Sequence, residues 1–244
     1  MKNMVTLMEP NSEVFELTAA LLLYKSNRSN VYATAHDVVD HPHLAGSKQI
    51  GPGAAATKGN LAEFAGAVLE ATAYRGMIPA NLLYTAPETM AWWAPSARRR
   101  VWFKSSEKSI GTASVDVAHP PLVFVATTNA WFVFALRCNA RPDPNTVLCK
   151  APYFNVWERG QICTGNVALP AARGPEVMAS YEEAFFRSHF THPNDKGLVK
   201  YTGGAVPMWA AQIANPDEAI ISDPQILIDT KLTLESTIKH IAKD

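Results

Sequence analysis

At 244 residues, nearly half of them apolar, the chain can bury a substantial core in one large domain or two small ones. Lys+Arg and Asp+Glu balance at 22 each, so no basic field covers the molecule and direct nucleic-acid binding is not indicated. Three cysteines, an odd count with no C-x-x-C spacing, argue against a disulfide framework or a zinc knuckle and for a reducing, cytoplasmic compartment.

Val14 to Tyr24 reads as a strand, and Val31 to Val39 as its return after the polar turn Lys25 to Asn30. The apolar run from Leu17 is too short to span a bilayer. Glu9, Glu13 and Glu16 precede it, where a signal peptide would carry positive charge. His41 to Asn60 is rich in Gly, Ala and Pro and reads as a loop. Its Gly51-Pro52-Gly53 and Lys58-Gly59 lack the ending of a phosphate loop. His36, Asp37, Asp40, His41 and His43 lie close together, but nothing holds them on one face, so they read as solvated rather than as metal ligands.

Asn60 to Arg75 is a helix, capped by Asn60 and with Leu61, Phe64, Val68 and Leu69 at helical spacing. Asn81 to Tyr84 and Thr89 to Trp93 form a hairpin around Pro87-Glu88, and Arg100 to Lys104 is a further strand. The run Arg98 to Arg100 reads as a solvated strand edge. Leu122 to Ala126 and Trp131 to Leu136 are unbroken apolar strands joined by a bend, a pattern that implies burial on both faces or a central place in a sheet. Val147 to Lys150 reads as a short edge strand, Pro175 to Phe190 as a helix with Pro in its first turn, and Leu232 to Ala242 as a terminal helix. Lys200 to Ile213 reads as a packing segment.

The informative stretch is Pro152 to Pro170, within which Asn155 is followed by Gly160-Gln161-Ile162-Cys163. A thiolate accepts an acyl group from another thioester at little cost in energy, and a side-chain amide can stabilise the oxyanion of the tetrahedral intermediate. Cys163 is therefore the candidate nucleophile. Asn155 is its candidate assistant, either directly or by ordering the loop over the thiol. Cys138, at the end of an apolar strand, and Cys149, between Leu148 and Lys150, are poorer candidates. The histidines beyond the cysteine, His192 or alternatively His189, carry an imidazole that can take a proton from an attacking amine.

The Asn-to-Cys spacing with Gly-x-Ile-Cys resembles the active-site signature of ubiquitin-conjugating enzymes, in which a His-Pro-Asn triplet precedes the cysteine. Here Tyr153-Phe154 stands where His-Pro is expected. Met90-Ala91-Trp92-Trp93, Arg99 to Phe103, Pro120 to Phe124, Ala151 to Val156, Phe185-Phe186 and Phe190 to Asn194 together resemble the PRTRC system protein B family, also described as prokaryotic ubiquitin-conjugating family D. The resemblance implies an α+β fold with a ubiquitin-conjugating-like core, an antiparallel β meander flanked by helices. That core is expected over residues 97–244, behind an N-terminal hairpin-and-helix region over 1–96.

It further implies that Cys163 accepts a ubiquitin-like protein as a thioester from a ThiF-like activating partner and passes it to an amine, with no cofactor, metal or membrane involved. His192 would then stand where ubiquitin-conjugating enzymes carry an acidic or polar gate residue that helps deprotonate or orient the attacking lysine. The alternatives are a catalytically inactive binding module of the same fold in a plasmid-associated system, or a plasmid-maintenance structural protein that reaches DNA through partners.

Overall fold

The computed structural model describes residues 16–28, 30–72, 74–165, 167–170 and 174–242. Glu9, Glu13 and the expected strand start at Val14 lie outside them. The chain divides between Arg75 and Gly76 into two units, so the expected boundary after residue 96 falls inside the second. The described residues form an α+β protein with antiparallel pairing almost throughout and four α-helices.

In the first unit, β1 (Ala19–Lys25) and β2 (Val31–Asp40) make the expected hairpin. The segment read as a loop contains a third strand, β3 (Lys48–Ala55), paired antiparallel with β2. Its Gly-Pro-Gly composition hides it, yet each breaker has a place there. Pro52 falls at the register shift between His36 and Val38, on the edge strand of the sheet that the described residues form, where a missing N–H is tolerated. Gly53 lies opposite His36, and a Cβ there would collide with the imidazole. That ring bonds Thr34 Oγ1 (2.8 Å) and the Gly51 carbonyl (2.9 Å), and Asp40 pairs with Lys48. The helix α1 (Lys58–Thr72) begins two residues earlier than expected. Its cap is Thr57, whose hydroxyl accepts the Asn60 N–H, while the Asn60 side chain accepts the Thr57 N–H in return.

The second unit is built on a six-stranded antiparallel sheet. It comprises β4 (Leu82–Ala86), β5 (Thr89–Ala94), β8 (Leu122–Thr127), β9 (Trp131–Ala135), β10 (Val147–Lys150) and β12 (Asp229–Thr233), in the order β12-β10-β9-β8-β5-β4. The β4–β5 hairpin is thus bonded into this sheet through the full length of β5 against β8, which is why it parts from the N-terminal unit. The strand β10 is not an edge, since β12 covers its other side.

Side chains alternate between the two faces of a strand. On one face Trp92, Phe124, Trp131 and Val133 join the large core; on the other Ala91, Val123, Val125 and Phe134 meet Leu234 and Ile238 of α4 (Leu234–Ile241). Burial on both faces is what the unbroken apolar strands imply. The large core is closed by α2 (Met178–Arg187), α3 (Ala205–Ala214) and a second sheet in which β6 (Arg98–Lys104) pairs antiparallel with β7 (Thr112–Ala118) and parallel with β11 (His189–Phe190). The region read as a packing segment therefore contains a helix. Pro207 is tolerated in its first turn, and Gly203 and Gly204 enter it at φ 81° and 84°.

Behind this core lies His119, 1% exposed. Its Nδ1–H donates to the Pro120 carbonyl (2.8 Å), which leaves Nε2 buried without a partner. Burial pushes the imidazole pKa down to about 4, with Arg99 adding to the effect and the Pro120 bond opposing it. The unfolded chain takes up this proton near pH 6.5 and the folded chain only near 4. The contribution of the neutral ring is therefore complete above pH 6.5 and is lost as pH falls toward 4, by about 3 kcal/mol in all. Urea unfolding at a series of pH values should show this slope in the native protein and a flatter one in His119→Gln; equal slopes would place the proton uptake elsewhere.

Candidate functional site

Two aromatic anchors set the entry to the site. Tyr153 stacks on Phe190 (centroids 5.6 Å apart) and meets Phe185 edge-on, while Phe154 meets Phe103 edge-on at 5.9 Å. Both are fully buried, and the Trp209 indole N–H holds the Pro152 carbonyl at 2.9 Å. Where the His-Pro-Asn triplet would put a histidine, this chain has a phenol whose hydroxyl is buried without a partner and whose pKa burial raises. The anchoring is apolar instead of polar.

Behind the anchors the chain reverses at Asn155, whose φ of 60° lies in the left-handed region that Asn tolerates better than most residues. A short hairpin follows. Val156 bridges Ile162, and the Trp157 N–H donates to the Gln161 carbonyl. The hairpin lies along the half of β9 that β10 leaves uncovered: the Val133 N–H donates to the Gly160 carbonyl, and the Ile162 N–H to the Trp131 carbonyl, both at 2.9 Å. Gly160 sits at φ 83° with the Phe134 ring so close that an added Cβ would lie 2.5 Å from it. Both the dihedral and the space demand glycine at the turn.

Cys163 emerges from this hairpin exposed to solvent. Its N–H donates to the Asn155 carbonyl (2.7 Å), and the Asn155 N–H donates to the His192 carbonyl (3.1 Å). The three residues singled out in the sequence are therefore joined in a row by main-chain hydrogen bonds. The Asn155 carboxamide turns toward the strand β11 and the residue after it. Its Nδ2 donates to the His189 carbonyl (2.8 Å), and its Oδ1 accepts from the Thr191 N–H (3.1 Å) and the Thr191 hydroxyl (2.7 Å). Three of its four hydrogen-bonding capacities thus tie the cysteine loop to the histidine turn, and one amide hydrogen is left. Nothing in the sequence but its place beside His192 marks Thr191 for this role. His189, the alternative histidine, contributes its carbonyl.

The turn beyond Thr191 is pinned at its other end. The Asp195 carboxylate pairs with Lys150 Nζ at 2.5 Å, with both side chains largely buried, and accepts the Gly197 N–H. His192 itself is exposed, with Nδ1 3.0 Å from Thr191 Oγ1.

The other cysteines differ. Cys149 is fully buried, and its thiol donates to Asp229 at 3.2 Å. Burial first, then the Asp229 bond, pushes its pKa up to about 12, which removes it as a nucleophile. Cys138 is exposed, in the segment after β9. Among the described residues no helix is long and apolar enough to cross a membrane.

Comparison with known proteins adds one finding. The sequence model of the family described as prokaryotic E2 family D matches residues 59–219, which takes in the whole second-unit core up to α3 and the site loop. No curated protein and no solved structure matches the chain.

Proposed function

Because the chain belongs to prokaryotic E2 family D, a ubiquitin-conjugating-like family, we propose that Cys163 is an acyl-carrying thiol that accepts a ubiquitin-like protein and passes it to an amine. The supporting observation is the main-chain row from Cys163 through Asn155 to His192, with the thiol exposed at one end and the imidazole at the other. In the loading step the Cys163 thiolate attacks the thioester carbonyl held by a ThiF-like activating partner. A new C–S bond forms, and the partner's thiolate leaves. In the discharge step an amine nitrogen attacks the Cys163 thioester, a C–N bond forms, and Cys163 leaves as thiolate. The amine's proton passes to His192.

The remaining Asn155 amide hydrogen is the donor available to the oxyanion. The other three bonds of its carboxamide order the loop, so the two roles expected of this residue are compatible. We place the protein in a PRTRC-type conjugation system on the resemblance of its motifs.

Incubation with the activating partner, ATP and the ubiquitin-like protein should give an adduct that reductant releases. The adduct should persist in Cys138→Ala and be absent in Cys163→Ala. The same adduct on Cys163→Ala would overturn the assignment. A second reading, a binding module without catalysis, draws on Tyr153 in place of histidine and on the turn of the Asn155 carboxamide toward β11. It requires that no adduct form on any cysteine.

A further inference from the structure

The hydrogen bonds around Asn155 determine where the protons lie. A main-chain N–H can only donate, so the Asn155 atom that receives the Thr191 N–H is the oxygen. A carbonyl can only accept, so the atom facing His189 is the nitrogen. The Thr191 hydroxyl, 2.7 Å from that oxygen, must therefore donate its single proton to it. His192 Nδ1 lies 3.0 Å from the same hydroxyl oxygen and finds only lone pairs there. In the neutral ring Nδ1 must carry the proton, and Nε2 is left as the base.

We propose that Thr191 is a positioning residue that holds His192 in the Nδ1–H tautomer and so leaves Nε2 as the proton acceptor. An unconstrained histidine favours the opposite tautomer, with the proton on Nε2 and the base turned inward toward Thr191. The same hydroxyl ties this choice to Asn155, so the residue that orders the cysteine loop also sets the polarity of the imidazole. The use of Nε2 in discharge rests on the transfer reading above; the tautomer itself does not.

Two measurements test it. In protein labelled with ¹⁵N-histidine at pH 8, the His192 ring should show a protonated Nδ1 and an unprotonated Nε2. Thr191→Val, which removes the hydroxyl and keeps the main-chain bond to Asn155, should shift the ring to the Nε2–H form. Thr191→Ser should leave it as in the native chain. A native ring already in the Nε2–H form, or a Val variant that keeps Nδ1–H, would overturn the proposal, whether or not Cys163 carries an acyl group.

In single-turnover discharge to free lysine, measured from the isolated Cys163 thioester, Thr191→Val should be about tenfold slower, because a freely exchanging ring presents Nε2 for only part of the time. Thr191→Ser should discharge at the native rate. A tautomer-switched variant that discharges as fast as the native protein would overturn the assignment of Nε2 as the acceptor.

Discussion

Replacing Asn155 with Ala should slow transfer from loaded Cys163 by about 10²–10³, the cost of removing a side-chain amide from an oxyanion site. Two effects contribute and can be separated. Ala at a φ of 60° is strained by roughly 1–2 kcal/mol, and its methyl leaves the Thr191 N–H, the Thr191 hydroxyl and the His189 carbonyl without their partner. Asn155→Gly removes the carboxamide without the backbone strain, so a comparable loss in the glycine variant assigns the rate effect to the amide. Asn155→Asp keeps the acceptor for Thr191 but sets a carboxylate oxygen against the His189 carbonyl, and should fall between native and Ala in stability. Stopped-flow or quenched discharge of the isolated thioester, read beside thermal melts of the same proteins, provides both numbers. Native discharge by the glycine variant would remove Asn155 from the chemistry.

Glu182→Ala should be the most destabilising change among the charged residues of α2, by about 2–4 kcal/mol. Glu182 is 8% exposed. It accepts from the indole N–H of fully buried Trp92 at 3.0 Å and from Arg99 at 2.6 Å. The Arg99 side chain is about a third exposed, so water screens its share of the loss. Most of the cost comes from a buried indole N–H left with no acceptor. Arg99 also lies over the Phe186 ring, 5.0 Å from its centroid, so its guanidinium keeps one anchor when Glu182 is removed.

The neighbouring Glu183 pairs with Arg187 one turn along, in the open, where such a pair contributes about 0.3–0.5 kcal/mol. For a chain of this length a kilocalorie moves the melting temperature by roughly 2–4 °C. Calorimetry should therefore find Glu182→Ala lower by several degrees and Glu183→Ala nearly unchanged. Equal, small shifts would mean that Trp92 finds another acceptor.

The elements that could be read from the sequence are those whose pattern is local. The β8–β9 hairpin announces itself by unbroken apolar runs, and β4–β5 by its Pro-Glu turn. The strand β7 carries a plain period of two, with buried Val115 and Val117 alternating with exposed Ser114 and Asp116, but its apolar content is too low to stand out beside the runs that flank it. The strand β3 was obscured by glycines and a proline whose reasons lie across the sheet in His36 and a register shift. Two-residue β11 has no pattern of its own and exists because β6 pairs with it.

The same division runs through the site. Cys163 and Asn155 are eight positions apart and share a recognisable spacing. Thr191 is 36 residues from Asn155, and nothing along the chain marks the two hydrogen bonds that join them.

The placement of the Val156–Ile162 hairpin along β9 has a consequence for solubility. Beyond the reach of β10, the main chain of Trp131 and Val133 would otherwise present raw donors and acceptors, a template on which a stranger's strand can dock. The segment that carries Cys163 also seals that margin, so chains that lose the hairpin should become sticky.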